Sequence, residues 1–415
     1  MSQEIVIQSQ PRLWLEGSIL QPYVSRYGAQ LCRGRYALST QRVYLCCVAH
    51  FAYWLTVERC SLSAIGEAMV ARFLSEHLPV CSCAYPVRRL RHELRAALAQ
   101  LLEVLRAEGM GAEDPASDTA VAQELAHFDK HMRDVWGLAD STRRQRGRIV
   151  GEFLLSHFSD QPITLSKIGT TAVRRFVLGD PGRSPGTIRV IGGAVGCYLR
   201  FRSMSGDRVS QLAAAIPRAA HWRLASLPEV LTDAEIDELL QSFDQPFPSR
   251  RRAYAMTRCL IDLGLRSNEV VNLRLEDINW AEGTICLIGT KGRRADMLPL
   301  PSATGGAIAA YLREERPQTS NRAIFVRHVA PYDEPIKKGV VKRAVLAGYR
   351  RCGWTRTGVH ILRHSVASRL LRTGVPMKDI ADVLRHRSLD TSAIYAKVDL
   401  TKLSAVALPW PGSTS

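Results

Sequence analysis

Six side chains in the 415-residue sequence suit one kind of chemistry: Arg266, Lys291, His360, Arg363, His386 and Tyr395. Taken singly, each has an ordinary explanation, such as an arginine at a helix start, a lysine on a hairpin or a late tyrosine in packing. Taken together, they can break and remake a DNA phosphodiester without water. A tyrosine hydroxyl attacks phosphorus and forms a covalent 3′-phosphotyrosyl link. A free 5′-hydroxyl of another strand later attacks that link, so the bond energy is kept and no ATP is needed. Negative charge builds on the non-bridging oxygens, and planar guanidinium groups meet such oxygens with paired charged hydrogen bonds. A lysine with its pKa lowered by nearby cations can protonate the leaving oxygen. Histidines can bond the phosphate or take the proton of a tyrosine whose free pKa is about 10. Cationic side chains then do the work of a metal, so no metal and no cofactor is expected.

Two metal-like patterns are set aside. His360 and His364 lie four apart, as in an HExxH zinc helix, but Ile361 stands where that motif needs glutamate. His77, Cys81, Cys83 and His92 fit no usual finger spacing, and the ten cysteines contain no pair of CxxC elements. The expectation for that cluster is core or surface packing by reduced thiols.

The elements that must position the six residues follow from local pattern. Thr232 and Glu235 form a capping box that opens a domain. The β-prone runs 283–288 (GTICLI) and 295–300 (ADMLPL) bracket a basic turn that holds Lys291, which predicts a hairpin; a further short strand is predicted at 323–326. Upstream, two helical stretches repeat. Ser39-Thr40 is followed by Phe51, Leu55, Leu62, Ile65 and Phe73, and Ser141-Thr142 by Phe153, Leu154, Leu165, Ile168 and Phe176; 39 to 141, 62 to 165 and 73 to 176 keep offsets of 102–103. Each Ser-Thr predicts an N-capped amphipathic helix. Each copy ends in a long helix with proline near its start, 86–107 and 185–204. Linkers are predicted at 109–117 and 216–228. The fold class is therefore mainly α, with two helical units, 1–118 and 126–222, before a mixed α/β domain at 230–400 with a small antiparallel sheet, and a tail at 401–415.

Charge points to a polyanion. The chain has 56 Lys+Arg against 39 Asp+Glu, a net +17, which favours nucleic acid over a membrane surface. Residues 1–125 are neutral, with 12 arginines and 12 acids; 126–222 carry +8 and the rest +9. Arg88, Arg89, Arg91 and Arg95 are expected as a stripe on one helix, suited to touching phosphate while other faces meet neighbouring subunits. No apolar run reaches the roughly 18 residues of a membrane span, and the N-terminus has no basic stretch leading into an apolar one, so a cytoplasmic location is expected.

The motifs fall in a telling order: Asp262-Leu263-Gly264-Leu265-Arg266-Ser267-Asn268-Glu269-Val270, His360-Ile361-Leu362-Arg363-His364, Leu384-Arg385-His386-Arg387-Ser388, and Tyr395 nine residues after His386. This resembles the tyrosine recombinase family of phage integrases over about 230–400, and 126–222 is similar, more loosely, to that family's core-binding domain. The resemblance implies that Arg266 and Arg363 clamp phosphate and that Lys291 is the hairpin lysine. It implies that His360 and His386 fill the two histidine positions, that Tyr395 is the nucleophile and that Glu269 supports the site. Arg385 stands where the family usually has glycine, a residue suited to a tight turn. Implied partners are double-stranded DNA, further copies of the chain as a tetramer on two DNA sites, and other recombinase subunits. Leu400, Leu403, Val406 and Leu408 would dock the tail on a neighbouring protomer, or fold back on their own domain. The implied function is site-specific recombination for integrating or excising a mobile element. A non-cutting architectural protein and a type IB topoisomerase stand as alternatives.

Overall fold

The computed structural model describes residues 8–84, 87–110, 119–159, 161–179, 183–218, 228–288 and 295–385. The chain divides into two compact units, residues 1–28 with 39–223, and residues 29–38 with 224–415.

The helices before residue 111 are α1 (Ser9–Glu16), α2 (Gln21–Arg33), α3 (Leu38–Val57), α4 (Glu67–Arg72) and α5 (Arg91–Ala107). Buried residues on α5, Leu94, Leu98, Leu101 and Leu105, recur three and four apart, the spacing of one helical face. The rings of Phe51, Trp54 and Phe73 meet at 5.2–5.8 Å. Then come α6 (Ala120–Asp134), α7 (Asp140–Phe158), α8 (Thr170–Leu178), α9 (Pro185–Met204) and α10 (Ser210–Ala214), closed over Phe128, Phe153, Val173, Val177 and Leu199. Buried Tyr198 is satisfied there by donating to Glu124, which also accepts from Arg202, both at 2.7 Å.

The order helix, 3-10 turn, short helix, long helix occurs twice, as α3, Leu62–Ala64, α4, α5 and as α7, Leu165–Lys167, α8, α9. Turn and short helix keep an offset of 103 residues (62 to 165, 67 to 170), but the long helices are offset by only 94 (91 to 185). Counted from the start of the short helix to the start of the long one, the first copy thus has nine extra residues, 24 against 15.

Local expectations fail at three places, each for a physical reason. Ser39 and Ser141 do not cap their helices, because α3 begins at Leu38 and α7 at Asp140. At α7, Asp140 faces the helix N-terminus and pairs with Arg143 (2.8 Å) and Arg144 (2.6 Å). The helix expected from 86 starts at Arg91; Pro86 lies outside the described residues. The Arg88 carbonyl is bonded by His50 of α3 at 2.9 Å, which holds that segment out of the helix. Arg88 and Arg89 therefore precede α5, and only Arg91 and Arg95 lie on it.

The second unit opens with the capping box: Thr232 N–H donates to Glu235 Oε2 (2.7 Å), and Glu235 N–H donates to Thr232 Oγ1 (3.2 Å). Its elements are α11 (Asp233–Gln241), α12 (Arg250–Asp262), α13 (Ser267–Asn272), β1 (Ile278–Asn279), β2 (Thr284–Leu287), β3 (Asp296–Pro299), α14 (Ser302–Glu314), α15 (Lys338–Arg351), α16 (His360–Arg372) and α17 (Met377–Val383). The sheet has order β1-β2-β3 and is antiparallel, with Ile285 opposite Leu298 and Leu287 opposite Asp296. Strand β1 had no signal beyond two residues. The segment 323–326 is no strand but makes isolated bridges at its ends, Ala323 to Arg274 and Val326 to Pro335. Its apolar residues Ile324, Phe325 and Val326 are fully buried, so the pattern that suggested a strand reflects a core-lining loop. Helix α12 lies centrally against α14, α15 and α16, and this places the ends of α12 and α16 together.

Candidate active site

Arg363 lies on α16 and is only 5% exposed. A buried guanidinium must find acceptors, since an unpaired buried charge costs several kcal/mol, on the order of 3–5. Arg363 donates to two backbone carbonyls from distant segments, Gly264 and Leu384. Gly264 has φ +57, and a Cβ there would come within 2.7 Å of Leu384 Cδ2, so this close approach requires glycine.

Arg266 follows two residues after Gly264 as the N-cap of α13. Its backbone N–H donates to Glu269 Oε2 (2.8 Å), its Nη1 to Glu269 Oε1 (2.6 Å) and its Nη2 to the Arg385 carbonyl (3.1 Å). The two arginines, 97 residues apart in sequence, are thus bonded to the carbonyls of consecutive residues, Leu384 and Arg385. The motif stretches around Arg266, Arg363 and Leu384-Arg385 come together at one turn.

The departure at Arg385 has a structural account. Its φ is +54, the left-handed region that glycine occupies at no cost and other residues occupy at roughly 1–2 kcal/mol. The side chain that causes the strain also compensates for it: Arg385 Nη2 donates to Glu269 Oε2 at 2.9 Å and its Nη1 to the Val383 carbonyl at 2.8 Å. Glu269 is thereby shared by two arginines. Burial would raise its carboxyl pKa, but the Arg385 charge and the bonds from Arg266 outweigh that and hold it below the usual carboxylate range. Sequence reasoning flagged both residues but not their pairing; an acid near the first arginine and a basic residue in place of glycine were the available signal.

His360 is the exposed first residue of α16, three before Arg363 and so on the same helical side. His364, one turn further on, has its pKa lowered by burial, then by the charges of His360 and Arg363. Lys291, His386 and Tyr395 lie outside the described residues, Lys291 between β2 and β3 and the other two beyond Arg385. The described part of the site is a cationic cradle, with two arginines fixed on one turn, a third tied to a buried carboxylate and a histidine at the rim. Such a cradle suits a phosphate.

The phage integrase family matches residues 229–402. A Sinorhizobium fredii protein named as an integrase/recombinase, y4rA, is 35% identical over 401 residues, 94% of each chain. Tyrosine recombinase XerA of Thermococcus kodakarensis is 29% identical over 222 residues, 54% of this chain and 74% of its own. The XerH recombinase crystallised on a palindromic difH substrate, a post-cleavage complex, shares the fold with a TM-score of 0.53 at 18% identity, over 88% of this chain and 95% of its own. The chain belongs to the phage integrase family, the tyrosine recombinases, and is a DNA strand transferase of that class. Among the described residues no helix is long and apolar enough to cross a membrane.

Two stability measurements test the turn. Arg385→Gly and Arg385→Ala both lose the ion pair to Glu269, but only glycine fits φ +54 freely. The alanine variant of the full chain should be less stable by about 1 kcal/mol in denaturant unfolding; equal stability would show that the backbone had left the left-handed region. Glu269 has a lowered folded pKa, so its contribution is present above the unfolded carboxylate value of about 4.3 and is lost as pH falls through the folded value. The destabilisation caused by Glu269→Gln should be full near neutral pH and shrink below about pH 4. A difference that stays constant with pH would place the Glu269 effect outside its charge.

Proposed function

We propose that this recombinase integrates or excises a mobile element by cutting and rejoining strands at paired DNA sites, with Tyr395 as the nucleophile. Arg266 and Arg363 clamp the scissile phosphate, Lys291 protonates the leaving 5′-oxygen, and His360 and His386 bond the phosphate or take the Tyr395 proton. One observation carries this reading: Arg266 and Arg363 bond adjacent carbonyls immediately before His386, with Tyr395 nine residues further on in the same chain. A purely architectural DNA-binding protein has no use for a tyrosine behind two clamps fixed on one turn.

Residues 126–222 serve as the core-binding unit. Exposed Arg144, Arg148, Arg174, Arg175, Arg189 and Arg200 supply its phosphate contacts. Residues 1–118 are a second unit of the same type, whose neutral surface serves contacts between subunits as well as DNA. The assembly is a tetramer on two DNA sites, with the tail 401–415 docked on a neighbouring protomer. That tail lies outside the described residues.

Incubation with a nicked suicide site should give a covalent DNA adduct that survives denaturation, and Tyr395→Phe should not form it. An undiminished adduct in the Phe variant would move the nucleophile elsewhere. Arg266→Ala should slow cleavage by about 10²–10³, the loss expected for one preorganised charge-stabilising donor. Its DNA affinity should fall far less, because Arg266 is one of many phosphate contacts. Equal losses in binding and cleavage would make Arg266 an ordinary grip.

A further inference from the structure

Four metal-ligating side chains converge in the first helical bundle, in the unit that contains none of the residues assigned to strand transfer. His50 is fully buried on α3. His77 ends the turn Phe73–His77 that follows α4, and Cys81 and Cys83 lie in the irregular segment before α5. His50 Nε2 is 3.2 Å from His77 Nε2 and 3.3 Å from Cys81 Sγ, and His77 Nε2 is 3.6 Å from Cys83 Sγ. All four ligand atoms lie within 4.8 Å of one another. Of the residues His77, Cys81, Cys83 and His92 singled out in the sequence, the first three meet, His92 is exposed on α5, and His50 takes the fourth place.

We propose that His50, His77, Cys81 and Cys83 bind one zinc ion as a closed structural centre. A tetrahedral zinc with bonds of about 2.05 Å to nitrogen and about 2.3 Å to sulfur holds its nitrogens about 3.3 Å apart and each nitrogen about 3.6 Å from each sulfur. Two of the three separations, 3.2 Å between the nitrogens and 3.6 Å from His77 Nε2 to Cys83 Sγ, lie close to those values; the 3.3 Å from His50 Nε2 to Cys81 Sγ is about 0.3 Å shorter, and the remaining pairs, within 4.8 Å, would draw in on binding. A hydrogen-bonded chain through the same residues needs successive pairs, not four atoms that all converge.

The tautomer is also set for ligation. A carbonyl only accepts, so the 2.9 Å contact from His50 Nδ1 to the Arg88 carbonyl fixes the proton on Nδ1 and leaves the Nε2 lone pair facing the cluster. That second bond is the support a metal-bound histidine ordinarily has. Binding releases one proton from each thiol. Two thiolates then balance the two charges of zinc, which gives a neutral centre suited to a half-buried site beside the Phe73 and Trp54 rings.

The internal duplication acts as a control. The stretch between the short and long helices is longer in the first copy, 73–90 against 179–184, and it supplies Cys81 and Cys83. In the second copy Glu152 stands at the position of His50, at the offset of 102, and residues 179–184 (GDPGRS) contain neither cysteine nor histidine. The same sequence of helices forms there without the cluster, so bundle packing does not require it. What requires a tie is the inserted segment, which has little regular structure of its own. Zinc would fasten it to α3 and so fix the backbone that carries exposed Arg88 and Arg89, the latter bonded to the Cys83 carbonyl at 3.3 Å.

The test uses the full chain, purified without a polyhistidine tag. Elemental analysis should find about one zinc per chain, falling below about 0.1 in Cys81→Ser/Cys83→Ser and unchanged in His92→Gln. Because the double variant could unfold the bundle, the wild-type protein is also stripped and titrated with Co²⁺. Strong visible bands of four-coordinate cobalt and a near-ultraviolet thiolate-to-cobalt transition are expected, weakened in His50→Gln. Three results would each overturn the proposal: wild-type protein without stoichiometric zinc, zinc retained in the double variant, or a pale six-coordinate cobalt spectrum.

Discussion

The active-site half of this protein is organised around a buried charge. Arg363 sits on a helix packed into the core, and its guanidinium is held only if backbone carbonyls reach it. Gly264 and Leu384 supply them, and each has a residue of the proposed site as its near neighbour: Arg266 lies two residues beyond Gly264, and Arg385 and His386 follow Leu384. One electrostatic requirement of folding thus draws three motif stretches onto one turn. Arg266 completes the arrangement by bonding the next carbonyl, and Glu269 offsets the positive charge that accumulates there.

This arrangement reconciles two demands on the same cations. A phosphate clamp must be rigid, since a donor that has to reorganise at the moment of reaction gains little for the transition state. It must also remain charged while partly buried. Bonding to carbonyls fixes the guanidinium planes without neutralising them, whereas a carboxylate on every arginine would cancel the field that the phosphate needs. The largely covered Glu269 carboxylate bonds Arg385 and one edge of Arg266.

What the sequence made legible follows the range of the interactions involved. The capping box at Thr232 and Glu235 and the β2–β3 hairpin depend on neighbours a few residues away, and their pattern was readable. The start of α5 was not, because a bond from His50, 38 residues upstream, holds Arg88 out of the helix. The segment 323–326 had the apolar pattern of a strand but is buried as a loop. In the candidate site, the order of motifs singled out Arg266, His360 and Arg363, and the structure brings the two arginines onto one turn. The pairing of Arg385 with Glu269 spans 116 residues and appears only in three dimensions. His50 is the clearest case: on an otherwise apolar helical face a lone histidine looks like packing, and its ligand partners lie 27 to 33 residues away.

The central claim is that the arginines on this turn answer the negative charge of the scissile phosphate. The direct measurement is single-turnover cleavage by wild-type protein and Arg266→Ala on two substrates, an ordinary phosphodiester and a methylphosphonate in which one non-bridging oxygen is a neutral methyl group. If Arg266 offsets that charge, its loss should matter far less on the neutral substrate, the defect shrinking from about 10²–10³ to about tenfold or less. An equal defect on both substrates would contradict the account, and would mean that Arg266 acts by holding the Arg385 turn rather than by meeting the phosphate.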